Sequence, residues 1–377
     1  MIVLTVGKTG ADFTSLAAAL AALYGTTLSD ETSITFIDDE TYDESNIVSG
    51  ITTSPTNRLI IQGAFNRQGR TTIRDDATGW LMTVYCHNLV IDGIAFDRQD
   101  ALDDSRSGIW IVQGWTNIEI AHNHFLGNGY FWQDAIAIDK FVTPVNIYDN
   151  LFRRWGETGI YTNTRAAANE VHNIFNNTFV KCQECVWIAD YETGFYEMSN
   201  SISIWNNIMD MDEDWLIECT EFNSIIVPAG KTPADLKRLD YNLYHVRKDT
   251  NTSIFTDTVS LYLDDLAALK FAYPTKEIEG IDDDPDFVVY CSDYHLLPDS
   301  PAIASADGII PVDDNDGETR TSPGNRGCYE ESLEMNLKAN PQLDRLQNAT
   351  YWIELEDTRS SGAPRNIRIG LDYQRVL

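Results

Sequence analysis

Four acidic side chains stand just ahead of four short apolar runs: Asp134 before Ile136, Glu157 before Ile160, Glu184 before Val186 and Asp214 before Leu216. If those runs stack in phase as strands, the acids form a column. Neighbours in it would be about 5 Å apart, or about 10 Å when one turn is skipped. Those separations bracket the two geometries of glycoside hydrolysis, in which one carboxyl protonates the leaving oxygen while the other attacks or activates water. Trp132 lies two residues before Asp134 and Trp155 two before Glu157, so a pair of indoles is expected beside the acids, one turn apart. Aromatic faces bind sugar rings. Three readings stay open: glycan cleavage by the acids Asp134, Glu157, Glu184 and Asp214, glycan binding without cleavage on Trp132 and Trp155, and a plain solvated wall. The last needs only composition, since 58 Asp plus Glu will place some acids in columns by chance. Such a column could also hold a cation.

Other chemistry is less well supported. Calcium-assisted elimination wants clustered Asp ligands with an Arg or Lys base nearby. This stretch offers Arg153, Arg154 and Arg165 without a matching acid set. Asp313-Asp314-Asn315-Asp316-Gly317-Glu318 is like a calcium loop, but counting back from Gly317 puts Val312 at the first ligand position, so it reads as an acidic turn. Cys182-Gln183-Glu184-Cys185 has no second pair and no following helix, and reads as core filling. His122 and His124 are spaced to share a strand face, but no further ligand joins them. Gly7-Lys8-Thr9 lacks the spacing of a phosphate loop. No metal and no cofactor is expected.

The elements that would position the acids are legible as a repeat. Asn117-Ile118-Glu119-Ile120-Ala121-His122-Asn123-His124-Phe125 is echoed by Val145-Asn146-Ile147-Tyr148-Asp149-Asn150-Leu151-Phe152, by Val171 to Phe179 and by Ile202 to Met209. Each line alternates apolar and polar residues, bends at an Asn, then gives one more apolar residue, a strand pattern rather than a helical one. The register residues Asn123, Asn150, Asn177, Asn207 and Asn242 lie 27, 27, 30 and 35 apart. A strand, a bend and another strand at that period is one coil of a parallel β-helix. The Asn side chains are expected to stack as an amide ladder, in a corner whose left-handed backbone Asn tolerates. A second strand family recurs in phase: Ile109-Trp110-Ile111, Ile136-Ala137-Ile138, Gly159-Ile160-Tyr161, Val186-Trp187-Ile188 and Leu216-Ile217-Glu218.

The formal net charge of -31 argues against a nucleic-acid partner or an anionic membrane surface. At 43% hydrophobic and 11% aromatic residues the chain is nonetheless a folded one. The N-terminus has no basic region and no long apolar run, so neither a signal peptide nor membrane insertion is expected.

The opening Val6-Gly7-Lys8-Thr9-Gly10-Ala11-Asp12-Phe13, with Thr41-Tyr42-Asp43-Glu44 and Leu59-Ile60-Ile61-Gln62-Gly63, resembles the start of the right-handed parallel β-helix (pectin-lyase-like) superfamily. Asp284-Pro285-Asp286-Phe287, Asp293 to Ile303 and Asp316-Gly317-Glu318-Thr319-Arg320 are similar to the closing coil of many bacterial and phage β-helix proteins, with Asn325-Arg326-Gly327-Cys328-Tyr329-Glu330 where those have a related ending. The resemblance covers roughly residues 1–330 and implies fold far more than activity. The polygalacturonase pattern is absent; Asn163-Thr164-Arg165 comes nearest.

The expected fold is therefore all-β: a right-handed parallel β-helix solenoid with an N-terminal capping helix and a C-terminal β extension. Residues 1–32 are the strand and cap, with the helix from about Thr14 to Leu23. Residues 33–330 are the β-helix, interrupted by an irregular loop at 222–237 and a break at 246–280 that holds a short helix. Residues 331–377 are an extension, with a hairpin that could serve assembly. The resemblance and the missing signal peptide imply a structural protein of a tailed-bacteriophage virion, a tailspike-like appendage or capsid decoration. Its expected partners are copies of itself in a trimer, other virion proteins and a host surface polysaccharide. The alternative is a polysaccharide depolymerase using the acid column.

Overall fold

The structure, a computed structural model, describes the chain except residues 67–68, 75–78, 99–105, 113, 130–132, 140–143, 164–170, 190–201, 212–221, 247–251, 258–260, 290–292, 308–310, 317–318, 321–323, 330–349, 356–366 and 373–377. Two compact units are present, Met1–Ser332 and Leu333–Leu377. In the long unit three nine-stranded sheets run side by side as the walls of a solenoid. Each coil lends one strand to each wall in turn. Ile118–Ala121 belongs to the first wall, His124–Leu126 to the second and Asp134–Ile138 to the third, before Val145–Tyr148 returns to the first. Pairing between coils is parallel; Tyr262–Leu263, at the end of the third wall, pairs antiparallel. The fold is a parallel β-helix.

The walls are strands because every second residue faces a closed interior. On the first wall Ile91, Ile120, Ile147, Ile174 and Ile204 lie in register and are fully buried. On the second, Phe96, Phe125, Phe152 and Phe179 stack with ring centroids 5.1, 4.9 and 4.7 Å apart and planes within 9° of parallel. β-branched and aromatic side chains suit such a pleated surface, and each buried one contributes roughly 1.5–3 kcal/mol.

Between the first and second walls runs the asparagine ladder. Asn123 Nδ2 donates to Asn150 Oδ1 at 3.1 Å, Asn150 to Asn177 at 3.0 Å, Asn177 to Asn207 at 3.1 Å and Asn207 to Asn242 at 3.0 Å. The series ends on Glu277, whose Oε1 accepts from Asn242 Nδ2 at 2.6 Å. The left-handed residue of this corner is not the ladder Asn but the one before it: His122, Asp149, Asn176, Asn206 and Tyr241 have φ of +52° to +60°. That turn is what aims the following amide inward.

The helix Leu16–Leu23 is capped by Ser15, whose side chain accepts from the Ala18 N–H, and by Glu44, which accepts from Leu16 and Ala17 N–H at 2.9 and 3.1 Å. An acid suits the positive end of a helix. Its Leu16, Ala19 and Leu20 are buried. Residues 222–237 are not an irregular loop: Phe222–Ile226 is a full strand of the third wall, and the turn Pro233–Asp235 leads to Arg238–Asp240 on the first. The third wall also continues through the expected break with Thr252–Thr256, followed by the helix Leu266–Ala272, capped by Asp265.

The closing segment does form an acidic turn, at Asn315 and Asp316, and that turn is tied to the corner. Asp314 and Asn315 are buried, and Arg320 Nη2 meets Asp149 Oδ1 at 2.5 Å. Arg70 Nη2 donates to the Asn315 carbonyl at 2.6 Å, and the Gly327 N–H donates to the Asn206 carbonyl at 2.8 Å. In the short unit, Thr350–Leu355 pairs antiparallel with Ile367–Asp372.

Candidate active site

The third wall carries the acids, and its register decides which of them meet. The buried pairs Ile109↔Ile136, Ile136↔Ile160 and Ile160↔Val186 fix it. Asp134 and Glu184 each stand two residues before their isoleucine or valine, whereas Glu157 stands three before Ile160. Asp134 therefore pairs with Thr158, Thr158 with Glu184 and Glu184 with Asn223. The expected unbroken column is corrected: Asp134 and Glu184 share it with a threonine between, and Glu157 sits one residue to the side. Asp214 and Leu216 to Glu218 lie outside the described residues, and the place expected for Asp214 is held by Asn223.

Glycine and alanine set how close this edge comes to the core. A Cβ on Gly159 would sit 2.8 Å from the Phe179 ring and 2.9 Å from the Cys185 carbonyl oxygen; on Gly108 it would lie 2.3 Å from the Ala135 carbonyl oxygen. The strands dip onto the phenylalanine stack there, burying Ala135 and leaving Asp134 half-buried at the edge. Asp134 N–H donates to Ser107 Oγ at 3.2 Å, while its Oδ1 is buried without a hydrogen bond. Burial, and next the neighbouring Glu157 carboxylate, push the Asp134 carboxyl up to about 8, against a hydrogen bond with Thr158. Burial also raises Glu157. Glu184 is buried and accepts from Thr158 Oγ1 at 3.4 Å. Both carboxyls of the Asp134–Glu157 pair are thus pushed toward their neutral forms, Asp134 the further.

The indoles chosen from the sequence do not form a sugar platform. Trp155 is fully buried, its Nε1–H donating to the Phe125 carbonyl at 3.0 Å. Arg154 before it is left-handed, with φ +58°, at the end of the strand Leu151–Arg153. Trp132 lies outside the described residues. The aromatic side chains on the outer side of this wall are the middle residues of the second strand family. Trp110 stacks with Trp80 at 5.9 Å, and Tyr161 meets Trp187 edge-on at 5.6 Å. Trp110 and Tyr161 both pair with Ala137, so a methyl stands between two partly exposed rings on the coil that carries Asp134. Two strand spacings separate them, about 10 Å. The signal for these rings was present in Ile109-Trp110-Ile111 and Gly159-Ile160-Tyr161.

Among the described residues no group of three or more His, Cys, Asp or Glu side chains is placed to hold a metal ion. His122 and His124 do not share a strand face. His122 turns the corner with its Nδ1 2.7 Å from Asp92, and His124 Nε2 meets Asn315 Oδ1 and the Tyr329 hydroxyl, each at 2.7 Å. Cys182 and Cys185 are buried free thiols in the core cluster, and burial pushes Cys182 up to about 12.

No family model matches the chain, and no curated protein matches it in sequence. Among solved structures it is similar to pectin methylesterase from Aspergillus niger. The penultimately deglycosylated form of that protein is 11% identical over 71% of this chain and 93% of the other, at a TM-score of 0.35. The deglycosylated form is 12% identical over 71% and 93%, at 0.34. Overlaps of this extent leave the chemistry of the third wall to its own residues.

Proposed function

We propose that the third wall holds a polysaccharide and cleaves a glycosidic bond in it, with Asp134 as general acid and Glu157 as the second carboxyl. The observation that carries this reading is the pair itself: a half-buried Asp134 with one oxygen buried and lacking any hydrogen bond, beside a second carboxyl on the next coil. A structural acid is ordinarily satisfied by donors. An acid kept neutral can instead give its proton to the oxygen of a departing sugar. Glu157 then either attacks the anomeric carbon or takes a proton from the water that does, and the anomer of the first product tells which. Trp110 and Tyr161, either side of Ala137, supply ring surface for the sugar chain. Glu184 and Thr158 act on position, holding the column next to Asp134.

The test is incubation with capsular and cell-wall polysaccharides, reading new reducing ends and, separately, unsaturated products. Hydrolysis that Asp134→Asn lowers by roughly 100-fold or more, with an unchanged fold, supports the reading. Product formation equal in wild type and variant defeats it, as does unsaturated product alone.

For the setting, we propose a trimeric appendage or decoration of a phage particle, with other virion proteins as its neighbours. The short unit Leu333–Leu377, with its own hairpin, favours it. Solution mass before and after removal of residues 331–377 tests the trimer; equal oligomers count against it.

A further inference from the structure

We infer that the outer face of the first wall carries a second, non-catalytic glycan site, which takes a neutral oligosaccharide laid along the coil axis. This goes beyond the reading of the third wall and stands without it. A groove of about 530 Å³ lies between the outward residues of this wall and the segment Pro311–Asp313. Its floor includes Tyr148, Phe175 and Trp205, stacked at 5.0 and 4.5 Å with planes 21° and 4° apart. The Arg238 guanidinium lies over Trp205, 5.0 Å from the ring centre. The ring faces are occupied by one another, so the groove meets the rings at their edges, and specificity must come from hydrogen bonds.

Those are available. Asn146 and Asn173 line the groove on adjacent strands, and Asn173 Nδ2 donates to Asn146 Oδ1 at 2.8 Å. One such bond leaves the amide hydrogens of Asn146 and the carbonyl oxygen of Asn173 for a ligand, a donor and an acceptor one strand apart. Neighbouring sugar hydroxyls, which both donate and accept, match that pair. The second sign of a ligand is independent of the first. Trp205 is only 9% exposed, and its Nε1–H is buried with no hydrogen-bond partner. An orphaned donor of this kind costs about 1–3 kcal/mol, which a ligand oxygen would relieve.

Charge selects neutrality. With a net charge of -31, the chain repels a polyanionic glycan. A cationic one finds both acids of the lining engaged: Glu119 is paired with Arg58 at 2.6 Å and accepts from the Tyr148 hydroxyl, and Asp313 accepts from Thr319 Oγ1 at 3.2 Å. From Glu119 to Trp205 the groove crosses four strands, about 14 Å, a length for a short oligosaccharide rather than a single sugar.

Calorimetric titration of the full chain with gluco-, manno- and N-acetylglucosamine oligosaccharides, and with uronate oligomers as the contrast, tests the site. The expected result is binding of a neutral series with a dissociation constant below about 1 mM. Asn173→Ala weakens it about tenfold. Trp205→Phe, which keeps a six-membered ring in the stack and removes the N–H with the pyrrole ring, weakens it about fivefold; Asn173→Ala melts with the wild type, and both variants release reducing ends at its rate. No neutral binding at that concentration, preference for the uronates, or binding that survives both substitutions would each overturn the inference.

Discussion

The ladder corner and the acid edge of the third wall are built by the same repeat and end in opposite states. At the corner, Asn150 uses its whole amide. Its Nδ2 reaches the Ile120 and Tyr148 carbonyls at 2.9 Å and Asn177 at 3.0 Å, and its Oδ1 accepts from Asn123 N–H at 3.0 Å. On the third wall, Asp134 leaves an oxygen buried and unpartnered. The difference lies in what can be repeated. An amide is both donor and acceptor, so identical copies satisfy one another coil after coil. A carboxylate only accepts, and identical copies about 5 Å apart repel. The register obeys this: Asp134 and Glu184 are separated by Thr158, and Asn223 and Ser253 follow.

Breaking the satisfied side should have the largest effect. Asn150→Ala removes bonds to both flanking coils and is expected to cost roughly 3–5 kcal/mol in urea unfolding. The second effect is a pH dependence of unusual sign. Asp134 is raised to about 8, so between pH of about 4 and 8 the folded chain binds more protons there than the unfolded one, and stability falls as pH rises. Asp149 and Glu277, each raised to about 7 chiefly by burial, slope the same way. Urea unfolding at pH 5 and 8 should show wild type weaker at 8, and Asp134→Asn should remove on the order of 2 kcal/mol of that fall. Glu184→Gln, which keeps an oxygen for Thr158, is expected within about 1 kcal/mol of wild type in the same assay. Smallest of all, Asn173→Ala on the open first wall should change stability by less than about 0.5 kcal/mol.

What the sequence made legible was whatever repeats. The ladder residues and inward isoleucines announce themselves because coil after coil puts one residue type in one place. The acids were legible as a group, but their column was not. Asp134 lies two residues before its inward partner and Glu157 three, so Glu157 falls just ahead of the strand Thr158–Asn163 and out of the register that Asp134 and Glu184 share. Trp155 failed for a related reason: nearness to an acid in sequence says nothing about direction, and the left-handed Arg154 turns it inward. The run Leu216-Ile217-Glu218 looked like a strand locally, yet the pairing of Val186 with Ile225 gives that place to Phe222–Ile226. Contacts such as Arg320 with Asp149, 171 residues apart, leave no periodic trace.

The central claim is that Asp134 is a proton-bearing acid at neutral pH, and it can be measured directly. Carboxyl carbon NMR of the aspartate-labelled chain, with Asp134→Asn to assign the resonance, reads its titration. The account predicts a midpoint near 8 that moves down in Glu157→Gln, where the neighbouring charge is gone. A midpoint in the ordinary aspartate range of about 4, unmoved by that substitution, would contradict it.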